Sequence, residues 1–262
     1  MHNLLLPLLL QSTALPTIDE LRLTECIELA EKDAPSAILE GSKWRQENGG
    51  WRAEICLATG YARNFEFVRS IPYFERGAEG ASAVSDARSN RFWLQAGNAA
   101  IAAEKPMAAI RYIDRALAKG ALPDAERAEA LIDRARAHVD AGQEAQAKTD
   151  LFAVRRLAPE STLGWLFSAT LARRNGDLED AQGFISTAAR LAPKDPANAL
   201  EAGNIAAAAG DLEQARKQWE LAVTLAPDSR QADTARSRLA KMPRSAEALK
   251  AAATTGENAD GR

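Results

Sequence analysis

The side chains that most often carry catalytic or metal chemistry are scarce in this chain and lie far apart. The 262 residues include two histidines, His2 and His138, and two cysteines, Cys26 and Cys56. A metal site needs several His, Cys or carboxylate ligands at close spacing, and the sequence has no such cluster. It also lacks a glycine-rich phosphate loop, a Gly-x-Ser-x-Gly elbow and a His-Glu-x-x-His helix. We therefore predict a protein that is not an enzyme and that holds no metal or cofactor.

Carboxylates are the remaining source of acid-base chemistry. Asp124, Glu126 and Glu129 lie in a polar stretch that is typical of a solvated helix face. His138 lies near the end of a predicted helix, and we interpret it as a surface or packing residue. Paired carboxylates can meet in space without a signature in sequence, so an unrecognised hydrolase stays open as an alternative.

The N-terminal segment bears on the cellular compartment. Residues 4–10 form an apolar run that resembles the core of a secretory signal peptide, although no lysine or arginine precedes it. The run is too short to span a bilayer, which takes about 20 apolar residues. We expect a signal peptide over residues 1–16 and a periplasmic or secreted protein. The alternatives are a frayed N-terminus or an edge helix over the first repeat, in a cytoplasmic protein.

The two cysteines fall on neighbouring predicted helices, over residues 18–31 and 51–61. In an exported chain, a Cys26–Cys56 disulfide would close a loop of about 30 residues and stabilise the fold by roughly 3–4 kcal/mol. Two small buried thiols in a cytosolic core are the alternative.

Small residues recur along the chain at a nearly fixed interval. Gly97, Ala135, Ala169 and Gly203 are separated by 38, 34 and 34 residues. Further series repeat this spacing: Ala109, Ala147, Ala181 and Ala215, then Ala116, Val154, Ala188 and Ala222, and finally Pro159, Pro193 and Pro227. A period near 34 predicts stacked helical hairpins, because each hairpin exposes an apolar face that only its neighbour can cover.

The clearest copy of this pattern resembles the tetratricopeptide repeat family. It carries Trp165, Ala169, Gly176, Ala181 and Pro193 at the family's signature places. The resemblance covers residues 90–228 and implies an all-α fold, a right-handed α-solenoid of helix-turn-helix repeats. The predicted organisation is a signal peptide or disordered N-terminus (1–16), degenerate helical repeats (17–86), about four repeats (87–228), a capping helix (229–242) and a disordered tail (243–262).

The turns within the hairpins also fit this pattern. Gly142, Gly176 and Gly210 are expected to adopt the left-handed conformation that ends the first helix of a hairpin. Asp177 and Asp211 are expected to cap the helix that follows.

Two features depart from the pattern. Arg134 occupies a place that usually holds leucine, and we expect it to be partly exposed and paired with a carboxylate such as Asp133. Residues 66–80 read as a helix interrupted by Pro72. Six aromatic residues of this region are expected to plug the end of the array: Trp44, Tyr61, Phe65, Phe67, Tyr73 and Phe74.

The resemblance implies that the first helix of each hairpin lines a concave groove for a partner. Its groove places, carried onto this chain, give the candidate site: Asn98, Ile132, Arg136, Leu163, Leu166, Thr170, Arg173, Arg174 and Asn204. The three arginines would attract an acidic or C-terminal peptide segment. Leu94 and Leu200 stand where members that clamp a carboxylate have lysine, so that form of clamp is not expected.

These observations favour a non-enzymatic scaffold that binds an extended peptide or helix of a partner protein in the bacterial envelope. A regulatory or accessory subunit of a cytoplasmic enzyme complex is the alternative. The formal net charge of -3 gives no general attraction to nucleic acid or anionic lipid. We expect neither a nucleic-acid partner nor stable membrane insertion, and the oligomeric state stays open.

Overall fold

A computed structural model describes residues 16–118 and 122–242. These residues form thirteen α-helices and no strand, and they divide into two compact units, residues 1–121 (unit 1) and 122–262 (unit 2). The expected signal peptide (1–16), apart from Pro16, and the expected disordered tail (243–262) lie outside the described residues. None of the described helices combines the length and the apolarity that crossing a membrane requires.

Unit 1 contains six helices and unit 2 contains seven. In unit 1 they are α1 (Ile18–Lys32), α2 (Ala34–Gln46), α3 (Gly50–Arg63), α4 (Phe67–Ala83), α5 (Ser89–Ala102) and α6 (Pro106–Leu117). In unit 2 they are α7 (Asp124–Asp140), α8 (Glu144–Leu157), α9 (Thr162–Arg174), α10 (Leu178–Leu191), α11 (Pro196–Ala208), α12 (Leu212–Leu225) and α13 (Arg230–Ala240). Within each unit every helix packs against the next one in the chain, which makes each unit a stack of helical hairpins.

The recurring small residues allow the helices of a hairpin to approach closely. A Cβ atom added at Gly203 would lie 2.5 Å from Cδ1 of Trp219, and one added at Gly97 would lie 2.6 Å from Cγ1 of Ile113. Trp165 packs on the cluster that contains the buried Ile185, as the hairpin pairing predicts. The steric reason for the 34-residue pattern is therefore visible in the core.

Every hairpin of unit 2 turns through a glycine with left-handed backbone conformation. Gly142, Gly176 and Gly210 have φ of 72°, 82° and 81°, as predicted. Asp211 accepts a hydrogen bond from the Gln214 backbone N–H at 2.9 Å and caps α12, also as predicted. Asp177 occupies the predicted N-cap position of α10, but its carboxylate accepts no capping hydrogen bond and instead faces the Lys148 ammonium group at 3.5 Å.

Unit 1 places residues other than glycine in the left-handed positions of its turns, although Gly50 also has a positive φ of 59°. Asn48, Phe65, Ser85 and Glu104 take the left-handed conformation, with φ between 55° and 63°. Phe65 is 82% exposed, so the prediction that it belongs to an aromatic plug was wrong: the turn holds it outside the core. Trp44 and Phe74 are buried, and Tyr61 and Tyr73 stack with ring centroids 5.3 Å apart.

Pro72 does not interrupt its helix. The helix α4 runs continuously through Pro72, and the Pro72 side chain is exposed to solvent. The proline lies near the start of α4, where a missing backbone N–H costs the helix a single hydrogen bond.

Arg134 is partly exposed and paired with a carboxylate, as expected, and the carboxylate is that of Asp150 and not Asp133. Its guanidinium group donates to both carboxylate oxygens of Asp150 on α8, at 2.8 and 2.6 Å. The Arg134 side chain is 22% exposed and that of Asp150 is 5% exposed. Asp133 instead accepts from Arg136. The bidentate geometry supplies the charge partner that a partly buried guanidinium needs.

The first helix of unit 1 is joined to α3 by a disulfide. Cys26 and Cys56 are bonded through their sulfur atoms, with Cα atoms 5.7 Å apart. Both side chains are buried at the interface of α1, α2 and α3.

Candidate functional site

A cavity of about 240 Å³ opens between α7 and α9 of unit 2, and we call it the unit-2 cavity. Its lining combines apolar and charged side chains: Ala135, Arg136, Val139, Asp140, Leu151, Phe167, Thr170, Leu171 and Arg174. The helices α7 and α9 are the first helices of successive hairpins. The cavity therefore lies on the helices that the sequence pattern assigns to partner binding.

The floor of the unit-2 cavity is apolar. Leu151 and Leu171 are buried in one cluster with Ala135 and Ala147, and Phe167 and Val139 pack against that cluster. Because residues 135 and 147 are alanines, α7 and α8 can approach closely. The larger leucine and phenylalanine side chains of the cluster fill the space towards α9. The result is a fixed apolar surface that a partner's side chain can cover.

The rim of the unit-2 cavity carries two arginines in different states. Arg136 is paired with Asp133 at 3.1 Å, and its guanidinium carbon lies 5.9 Å from the centre of the Phe167 ring. Burial raises the pKa of Asp133. Arg174 is exposed in the last turn of α9 and forms no ion pair with any residue that the structure describes.

Two further polar side chains complete the rim. The Thr170 hydroxyl donates to the Leu166 carbonyl oxygen at 3.1 Å, which leaves the hydroxyl oxygen able to accept a hydrogen bond. Asp140 is exposed at the C-terminal end of α7 and offers a carboxylate acceptor. The rim can thus bind an anionic group at Arg174 and a backbone N–H at Thr170 or Asp140.

Arg173 is engaged inside the protein. Its Nε donates to Glu201 Oε1 at 2.7 Å, and Glu201 Oε2 accepts from Asn204 Nδ2 at 2.9 Å. Asn204 Oδ1 in turn accepts from the Trp219 indole N–H at 3.2 Å. This network ties α9, α11 and α12 together, so Arg173 and Asn204 serve the packing of the hairpins before any partner arrives.

The structure separates the other predicted groove residues. Ile132 and Leu166 are buried, whereas Leu163 is half exposed at the start of α9. Asn98 belongs to unit 1, where it lines a cavity of about 350 Å³ with Phe67, Phe74 and other residues of α3, α4 and α5. Of the predicted set, the unit-2 cavity brings together Arg136, Thr170 and Arg174.

The sequence prediction did not include the floor of the cavity. Phe167, Leu171 and Leu151 were missed because the repeat pattern marks helix-helix contacts and gives no rule for which apolar residues border an opening. Phe167 and Leu171 are four residues apart and so share one face of α9, which was the available signal.

Across the part of the chain that the structure describes, no group of three or more His, Cys, Asp or Glu could hold a metal ion. His138 is buried, with Nδ1 2.7 Å from Gln143 Oε1 and Nε2 3.8 Å from Asp150 Oδ2. It serves as the packing residue that the sequence favoured.

The fold and the cavity place this chain in the class of proteins built from stacked helical hairpins with a surface open to a ligand. No family model matches the chain, and no curated protein matches it in sequence. Solved structures do match its fold.

PilW, described as a widely conserved type IV pilus biogenesis factor, has a TM-score of 0.66 and 17% identity over 84% of this chain and 99% of its own. Pseudomonas aeruginosa PilF has a TM-score of 0.62 and 16% identity over 84% and 99%. YrrB, described as a tetratricopeptide repeat protein with an unusual peptide-binding site, has a TM-score of 0.51 and 18% identity over 82% and 97%. The chain has the fold of the tetratricopeptide repeat proteins.

Proposed function

We propose that this protein is a non-enzymatic scaffold that holds a short segment of a partner protein in the unit-2 cavity. The observation that carries the proposal is the combination of a fixed apolar floor with Arg174, a cation left without an internal partner among the described residues. A segment that places an apolar side chain on the floor and a carboxylate at Arg174 would satisfy both.

The size of the cavity limits what it can contribute. It holds about 240 Å³, enough for one aliphatic or aromatic side chain. Burying such a side chain gives about 1.5–3 kcal/mol, and a hydrogen bond to a charged group gives about 1.5–3 kcal/mol. These gains fall short of the roughly 8 kcal/mol that a micromolar complex needs. The cavity is therefore an anchor within a longer contact along α7 and α9.

The recognised segment is proposed to be acidic. Arg136 is already paired with Asp133, and Asp140 adds a negative charge, so Arg174 supplies the cation that is free to bind. A carboxylate in a partner side chain and a C-terminal carboxylate present the same oxygen acceptors to this guanidinium group. Blocking the peptide C-terminus as an amide distinguishes the two sources.

A display library of random short peptides tests this proposal. Peptides selected on the wild-type protein should carry an acidic group next to a large apolar residue, and they should fail to bind Arg174→Glu. Arg190→Glu is the matched control, because it makes the same charge reversal at an exposed site on α10. Selected peptides that lack acidic groups, or that bind Arg174→Glu as well as Arg190→Glu, would contradict the proposal.

We also propose that the protein works in the bacterial envelope. The support is the apolar run over residues 4–10 and the Cys26–Cys56 disulfide, since disulfides persist in oxidising compartments. Fractionation of cells that express the full chain, with thiol alkylation before reduction, tests this location. Cytoplasmic protein with two alkylated cysteines would refute it.

A further inference from the structure

The helix α1 is attached to unit 1 by few apolar contacts. Among the described helices, α1 makes substantial contact only with α2 and α3. Its buried side chains are Leu23, Cys26 and Ala30. Leu21 and Ile18, by contrast, lie exposed. Burial of apolar area is the main contribution that stabilises a docked helix. Because α1 buries few apolar side chains, it gains little stabilisation from this source.

Two ion pairs hold the ends of α1 on α3. Elsewhere on α1, Arg22 pairs with Glu40 and Glu47 of the α2 region, and Glu20 also pairs with Arg88 ahead of α5. Glu20 accepts hydrogen bonds from Arg52 near the start of α3, at 2.6 Å, and Glu31 accepts from Arg63 near its end, at 3.1 Å. The Glu31–Arg63 pair is 58% exposed on both sides, and exposed pairs of this kind contribute little. The Cys26–Cys56 bridge lies between these two pairs along both helices.

We propose that the Cys26–Cys56 bridge is a redox latch that holds α1 on α3. While it is closed, α1 covers the line of residues on α3 that runs from Arg52 through Cys56 to Arg63. When it is reduced, α1 keeps its backbone link to α2 but loses its covalent cross-link to α3 and separates from α3, while α4 to α6 stay folded.

Opening the latch changes a second cavity. Arg63 lines the unit 1 cavity together with Thr59, Gln95 and Asn98, and Glu31 of α1 neutralises it. Release of α1 takes Glu31 away and leaves a guanidinium group at the edge of that cavity. The oxidation state of the bridge therefore sets both the extent and the charge of this surface.

The chemistry is thiol-disulfide exchange with a dithiol. One thiolate of the dithiol attacks a bridge sulfur and displaces the other cysteine as a thiolate, which takes up a proton. The second thiol of the reagent then attacks the mixed disulfide, so that the dithiol leaves as a cyclic disulfide and the protein holds two thiols. Cys26 and Cys56 are 1% and 0% exposed, so the attack requires prior opening of α1.

Hydrogen exchange with mass spectrometry on the full chain, with and without dithiothreitol, tests the latch. We expect amides of α1 to exchange at least ~10-fold faster after reduction, while amides of α5 and α6 keep their protection. The double variant Cys26→Ala/Cys56→Ala should reproduce the reduced pattern and show no further response to the reagent. Leu23→Ala should speed reduction of the bridge, because it weakens the apolar contact that keeps α1 closed.

Three results would overturn the proposal. Unchanged protection of α1 after reduction would mean that the ion pairs and Leu23 hold it without the bridge. Loss of protection in α5 and α6 together with α1 would mean that the bridge stabilises all of unit 1. Alkylation of both cysteines in freshly purified, unreduced protein would mean that the latch is not closed.

Discussion

Neighbouring arginines on α9 should respond in opposite ways to the same charge reversal. The sequence treats Arg173 and Arg174 as equivalent groove cations, but the structure gives Arg173 a carboxylate partner, Glu201, at 2.7 Å. Arg174 has no such partner among the described residues and lies exposed on the cavity rim. We therefore expect Arg173→Glu to lower stability and Arg174→Glu to lower binding.

The expected loss of stability in Arg173→Glu follows from the burial of the Arg173–Glu201 ion pair. The Glu201 side chain is 9% exposed and that of Arg173 is 24% exposed. Breaking a buried ion pair costs about 3–5 kcal/mol, and the reversal also sets two carboxylates against each other. Water reaches the Arg173 side, so we expect a loss of about 2–4 kcal/mol in the free energy of unfolding. Arg174→Glu should change it by less than about 0.5 kcal/mol, as for an exposed substitution.

Urea denaturation followed by circular dichroism measures both effects on equal terms. Arg173→Glu should shift the transition of unit 2 to lower urea, and Arg174→Glu should overlay the wild-type curve. A double-mutant cycle with Arg173→Ala and Glu201→Ala should give a favourable coupling free energy. Equal transitions for the two reversals, or zero coupling in the cycle, would refute the assignment of Arg173 to the internal network.

Three further predictions concern packing, backbone conformation and pH. Gly203→Ala should destabilise unit 2 by about 1–3 kcal/mol, because the new Cβ would lie 2.5 Å from the α12 indole; Gly183→Ala on α10, with no atom within 4 Å of its Cβ, should instead stabilise the protein in the same denaturation assay. The left-handed conformation of Phe65 costs about 1 kcal/mol, and Phe65→Gly should remove that cost and raise the unfolding midpoint of unit 1. A lowered midpoint would show that the ring stabilises the turn. Hydrogen bonds from Arg88, and then from Arg52, lower the pKa of Glu20, so its stabilising effect is present above its unfolded pKa of about 4.3 and is lost as pH falls through the folded value. The unit 1 midpoint should therefore fall more steeply between about pH 5 and pH 3 in the wild type than in Glu20→Gln, and parallel curves would contradict this.

The periodic features of the fold could be predicted from sequence because they depend on contacts within one hairpin. Gly142, Gly176 and Gly210 mark turns whose backbone only glycine adopts without strain. Gly97 and Gly203 mark close helix contacts with Ile113 and Trp219. Those constraints repeat every 34 residues and are legible in a single sequence.

The site could be predicted only in part because it depends on pairs between hairpins. Arg173 on α9 meets Glu201 on α11 across 28 residues of sequence, and this pairing does not follow from the repeat. Side-chain reach and the angle between helices decide which cation is neutralised. The repeat pattern therefore pointed to the helices that border the unit-2 cavity but could not separate Arg174 from Arg173.

We propose that the unit-2 cavity binds an acidic segment through Arg174. Fluorescence anisotropy with one library-selected acidic peptide, measured on wild type, Arg174→Glu and Arg190→Glu at physiological salt, tests it most directly. We predict a dissociation constant at least about tenfold weaker for Arg174→Glu, equivalent to about 1.4 kcal/mol, and no change for Arg190→Glu. Equal affinity for all three proteins would contradict the account.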